Sequence, residues 1–247
     1  MKRALLVAVA SCALGVSEAR GQGGPPMITD DPGTPGDEKW EINLAIAFEH
    51  RPGETSLDLP AIDINYGVGD RIQLTLQTAP VLLKRSDHGA IGGLGGTEEA
   101  VKWRFVDDQR TGLSISMFPR VLFNISQSAA RRGLADDGTR FQIPFQVMKS
   151  FGRFDLDFEW GPLASSVGRA EWIYGVVAGF DVTKTMGVMA ELHGTARTNF
   201  SRDELALNFG LRQKINDHCI FIGSLGHELH SPAARALIGY CGVQLLF

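Results

Sequence analysis

Reactive side chains are plentiful in the 247-residue chain, but few stand at the spacings that chemistry requires. Ser224 with His227, and Ser231 with His230, are the Ser–His pairs that a lipid-acting hydrolase at a barrel rim could use. Each lacks a clear orienting acid or amide as third member, and each pair is very close in sequence. Gly-x-Ser-x-Gly, His-Glu-x-x-His and Cys-x-x-Cys are all missing. His227, Glu228 and His230 could offer donors to a surface metal, yet the six histidines do not cluster at ligand spacing. Residues 89–96, GAIGGLGG, are as Gly-rich as a phosphate loop but open no helix, and read as a flexible surface loop between two strands. Asp30 and Asp31, flanked by Pro and Gly, read as turn formers rather than calcium ligands. The chain is therefore expected to be no enzyme and to hold neither metal nor cofactor.

The remaining polar chemistry is spread along alternating positions. Glu41, Asp63, Arg71, Glu98, Lys102, Arg104, Arg120, Arg140, Asp155, Asp157, Glu159, Glu191, His193 and Arg212 each fall on the polar parity of a segment whose other parity is apolar. If the apolar parity faces lipid, these side chains line a lumen. Acids at 155, 157 and 159 would then share it with bases at 102, 104, 120 and 140. Such a set could orient a passing solute in a transverse field, or form interstrand ion pairs that fill the interior.

The elements that must carry them are strands. Residues 39–49, KWEINLAIAFE, put Trp40, Ile42, Leu44, Ile46 and Phe48 on one face and charged or small residues on the other. Comparable alternation recurs at 57–68, 71–82, 97–106, 112–124, 139–149, 154–163, 171–182, 186–195, 203–213, 219–229 and 235–247. That makes about twelve strands, an even number as single-chain outer-membrane barrels have. Most run to about ten residues, enough to cross a bilayer at a tilt, where soluble strands average about five to six. Tight turns at 68–70, 151–153, 183–185 and 214–217 alternate with longer links at 83–96 and 125–138. With the termini on the tight-turn side, aromatics gather in two belts: Trp40, Tyr66, Trp103, Phe105, Phe154 and Phe247, then Phe48, Phe123, Phe141, Trp160 and Trp172. The expected fold is all-β, a transmembrane antiparallel up-and-down β-barrel, closed by pairing the last strand with the first. A soluble secreted lipid-binding barrel, with the apolar faces turned inward, is the alternative that alternation alone leaves open.

Ahead of the first strand lie two further segments. Residues 1–19 read as a signal peptide: Lys2 and Arg3, an apolar run from 4 to 16, then Ser17-Glu18-Ala19. Cleavage there removes two cations and one anion and takes the net charge from −4 to −5. Residues 20–38 form a Gly/Pro-rich leader, too broken for a regular element, either loose in the periplasm or folded near the barrel mouth. Residues 39–247 are the barrel. No basic run suggests nucleic acid. Cys219 and Cys241 remain after export, on adjacent strands but on the order of 16 Å apart along them, beyond the roughly 7 Å that a disulfide spans; free thiols are expected.

The order Pro25-Pro26, Thr29-Asp30-Asp31-Pro32, Trp40-Glu41, Asn65-Tyr66-Gly67-Val68, Gly93-Leu94-Gly95, Val101-Lys102-Trp103-Arg104-Phe105 and Lys149-Ser150-Phe151-Gly152 resembles the outer-membrane family named for the meta-pathway of phenol degradation. Where that family usually carries Gly-Leu-Gly-Asp, this chain has Gly93-Leu94-Gly95-Gly96. The resemblance implies a barrel that passes aromatic or other hydrophobic compounds. The expected function is an outer-membrane channel for small solutes. Its expected partners are outer-membrane lipid, the solute, and the assembly machinery reading the C-terminal strand that ends in Phe247.

Overall fold

The structure is a computed structural model that describes residues 23–87, 89–200, 203–232 and 234–247. The signal segment 1–19 lies outside them. Fourteen strand segments follow in order: β1 Trp40–Arg51, β2 Glu54–Val68, β3 Ile72–Arg85, β4 Gly89–Asp108, β5 Leu113–Met117, β6 Arg120–Phe123, β7 Arg140–Gln142, β8 Phe145–Phe151, β9 Phe154–Ser165, β10 Glu171–Asp181, β11 Met186–Arg197, β12 Asp203–Asn216, β13 Cys219–His230 and β14 Leu237–Leu246. Every pairing is antiparallel, and β14 pairs with β1 from Glu41↔Leu246 to His50↔Leu237, which closes the sheet.

Fourteen segments make twelve staves, because β5 and β6 both pair with β4 while β7 and β8 both pair with β9. The expected continuous strands 112–124 and 139–149 are each broken in two. The breaks fall at Pro119 and Pro144, which have no N–H to give a ladder. Their carbonyls still accept, Pro119 from the Val101 N–H and Pro144 from the Phe118 N–H. At its break Phe118 is 1% exposed, buried against the lumen bases described below. Register also slips in β2 and β3, between Asp58 and Ile62 and between Thr78 and Pro80.

The glycine run 89–96 is not a surface loop. It is the first part of β4, paired with β3 from Arg85↔Gly89 to Pro80↔Leu94. Its small residues leave room on the inner wall for a short helix, α1 Gln127–Arg132, in the link after β6. α1 ends at Gly133, whose left-handed φ of 73° lets its N–H cap the Ala130 carbonyl. Ala129 and the following Leu134 pack on Val81 and Leu83 of β3. A side chain at Gly93 would meet Leu134 at 2.9 Å, so this docking depends on the glycine.

The two faces of the wall differ in a way that decides the environment. Leu74, Leu76, Val101, Trp103, Phe158, Trp160, Leu192 and Phe209 are exposed on the outside. Asn43, Asn65, Gln73, Gln146, Asp157 and Glu191 are buried within. A soluble lipid-binding barrel needs the reverse, and an apolar exterior of this extent does not persist in water. The pairing Trp40↔Tyr66, with ring centroids 4.6 Å apart, lies at the tight-turn end. Trp160 stacks on Trp172 towards the other end, also at 4.6 Å.

Candidate functional site: a lumen and its plug

The leader enters the barrel. Its backbone N–H groups are taken up by carboxylates of the wall: Gly23 by Asp157 at 2.9 Å, Ile28 by Glu191 at 3.2 Å, Thr29 by the other Glu191 oxygen at 2.5 Å, and Asp30 by Glu159 at 2.7 Å. Its carbonyls are taken up by donors: Pro25 by Arg212 at 2.6 Å, Pro26 by Ser224 at 2.9 Å and Asp31 by Lys102 at 2.7 Å. The prolines explain why this segment plugs and does not pair. It cannot join a ladder, so its amides and carbonyls need side-chain partners. Hydrogen bonds to charged groups contribute about 1.5–3 kcal/mol each, so the set is a strong anchor.

The wall is hollowed to receive it. A side chain at Gly175 of β10 would stand 1.9 Å from Thr29 Oγ1, and one at Gly210 of β12 would stand 2.2 Å from Met27 Cε. Met27 packs with Val177 and Met189 on the inner wall. One ion-pair cluster fixes the acidic turn: Asp30 lies 3.1 Å from Lys102 and 3.6 Å from Arg120, and Arg120 lies 3.1 Å from Glu159 and 4.0 Å from Glu98. The Phe118 ring carries both cations, Lys102 at 4.7 Å and Arg120 at 4.3 Å from its centroid. Burial pushes the Asp30 carboxyl up, but Lys102 and Arg120 outweigh it and hold it below the usual value. Burial pushes Asp31 up to about 6; Lys102 opposes this and the Asp30 charge adds to it.

Of the residues expected to line the lumen, Asp63, Glu98, Lys102, Asp155, Asp157, Glu159, Glu191 and Arg212 are buried. Arg120 joins them in the plug cluster. Asp63 accepts from Asn43 and Asn65 in a separate amide network that runs on to Gln73 and Thr75. Glu41 and His193 are half-buried. Arg104 lies nearer the tight-turn rim, bonded to the Asp70 carbonyl, and Arg140 pairs at 2.5 Å with Asp136 in the long link. Arg71 falls on the turn before β3, at the rim, and is exposed. The Ser224–His227 pair does not assemble. Ser224 is occupied by Pro26 on the inner face, and His227 has the opposite parity. His230 faces Asp203 at 3.4 Å, and Glu228 is held by Arg51 at 2.7 Å. No group of three His, Cys, Asp or Glu among the described residues is placed to hold a metal. Cys219 and Cys241 are free, at Cys219↔Leu245 and Gly223↔Cys241.

Beyond the plug the lumen opens into two adjoining cavities, of about 490 and 700 Å³. Met27 and Ile28 of the leader line both, as do Leu134 and Ala135 behind α1 and Asp58 of β2. On the tight-turn side a space of only about 90 Å³ remains, between Asp31, Asn65, Gln73, Lys102 and Arg212. Asp58 was hidden in the sequence because a slip in β2 separates it from the regular alternation of Asp63 and Asn65. The signal that could have found it is its place between Leu57 and Leu59.

No protein-family model and no curated protein matches the chain by sequence. Solved structures do match in fold. The COG4313 outer membrane channel from Pseudomonas putida F1 superposes with a TM-score of 0.68 at 10% identity, over 88% of this chain and 98% of that one. The NanC porin gives 0.62 at 6% identity, over 83% and 98%. The KdgM porin gives 0.57 at 12%, over 83% and 99%. The chain is thus an all-β, closed antiparallel barrel of twelve staves with the architecture of outer-membrane channels.

Proposed function

We propose that the protein is an outer-membrane channel for small solutes, hydrophobic and aromatic ones among them, and that its leader is the plug which must shift for passage. The observation that carries this is the inversion of the barrel. An apolar exterior surrounds a charged interior whose carboxylates and cations hold the leader as well as one another. The motif order from Pro25 to Gly152 supports assignment to the meta-pathway of phenol degradation family, and the channels and porins of matching fold support transport over catalysis. Residues 1–19 act as the export signal on this reading, and the strand ending in Phe247 is the segment offered to the assembly machinery.

The test is reconstitution of the full chain in planar bilayers. Discrete conductance steps are expected, small in the wild type and altered by Lys102→Glu, which replaces the cation paired with Asp30 by an anion that repels the leader carboxylates. A silent membrane, from protein that migrates as a compact heat-modifiable barrel on a gel, refutes the channel.

A further inference from the structure

We infer that the vestibule beyond the plug is a binding site for amphipathic organic cations, with Asp58 as the residue that receives the positive charge; this rests on the channel reading and names its solute class. Three observations converge on it. The first is the lining. The larger cavity carries Glu49, Glu54, Asp58 and Asp136 and no Lys, Arg or His. The smaller one adds Arg120 and Arg140, both already engaged, by Glu159 and by Asp136. Arg51 and Arg85 at the rim are likewise committed, to Glu228 and to Glu54.

The second is Asp58 itself. It lines both cavities, and among the described residues no hydrogen bond or ion pair engages its carboxylate. The other three acids of the larger cavity have Arg partners. A half-buried carboxylate with no cation is a place where one belongs.

The third is apolar. Ile28 is 44% exposed although it sits on a plug inside a barrel, and it lines both cavities opposite Leu134. An aliphatic side chain left open on a polar plug matches the hydrocarbon part of a ligand whose charged end reaches Asp58. Both volumes fall within the range of about 300–1000 Å³ typical of small-molecule sites.

The experiment is calorimetric titration of the full-length protein in neutral detergent with 2-phenylethylammonium and with 3-phenylpropionate, which match in size and differ in sign. Saturable binding of the ammonium and none of the carboxylate is expected. Asp58→Asn should weaken the ammonium by about tenfold or more, the worth of one charge-assisted contact, and Asp58→Glu should keep the preference. Equal binding of the two probes, or an unchanged affinity in a heat-modifiable Asp58→Asn barrel, overturns the inference. If Asp58→Asn does not fold, the wild-type comparison of the two probes decides. The same preparation in a planar bilayer separates the two readings: conductance without ammonium binding sinks only this site, and ammonium binding with a silent bilayer sinks the channel.

Discussion

Gly175 offers the sharpest handle on the plug. A methyl group there would lie 1.9 Å from Thr29 Oγ1, 2.9 Å from its Cβ and 3.0 Å from its Cγ2, where ordinary contact begins at 3.4 Å. Turning the threonine relieves the first clash but not the second. Thr29 is fully buried and its N–H is held by Glu191, so the leader must move by several tenths of an ångström at least. Overpacking of this kind costs about 1–3 kcal/mol. Placed on the docked state alone, it raises the undocked-to-docked ratio by about 5- to 150-fold. Gly175→Ala should therefore show longer or larger openings in single-channel records and faster protease cleavage of the leader in detergent. No charge is altered, so a change in openings reports the plug and not the field of the lumen. Thr29→Gly in the same protein removes the colliding atoms and should restore the closed behaviour, a coupling that independent effects would not produce. Records and cleavage rates identical to wild type in Gly175→Ala would refute the plug as the barrier.

Further outcomes follow from the same contacts. Arg120→Met leaves Asp30, Glu98 and Glu159 together without their shared cation, and should destabilise the barrel by about 3–5 kcal/mol, read as a lowered temperature of heat modification on gels. Asp31, which faces Lys102, Asp30, Arg212 and Asp157, has a docked pKa of about 6 against an ordinary value of 3.8. The docked leader therefore holds a proton that the free one releases. This contribution to docking is full below 3.8 and is lost as pH rises through 6. Openings should grow over that window, and Asp31→Asn should lack this component; equal pH profiles would count against it. Cys241 is exposed on the outer face among apolar neighbours. In intact membranes it should react with a lipid-soluble maleimide and resist a membrane-impermeant one, and equal labelling by both would argue against lipid around β14.

Alternation by itself determined the staves. Trp40, Ile42, Leu44 and Ile46 against Glu41, Asn43 and Ala45 specify a two-faced strand whatever surrounds it, because side chains in extended backbone must alternate. Turn residues and segment lengths then determined the number of staves and their antiparallel order, and with them the closure of β14 on β1. What faced inward was not in the pattern, since a period of two is symmetric between lumen and lipid. Only the closed sheet, with Trp103 and Phe158 outside and Gln146 and Asp157 within, decided it. The breaks at Pro119 and Pro144 also needed three dimensions: the prolines are visible in sequence, but that they turn Phe118 into the seat of Lys102 and Arg120 is not. Least legible was the leader. Its Gly and Pro content excluded helix and strand and said nothing of where the chain went. Its amides are satisfied by Asp157, Glu159 and Glu191, more than a hundred residues away. No local rule couples positions so distant; only the closed barrel brings those carboxylates together around the segment they hold.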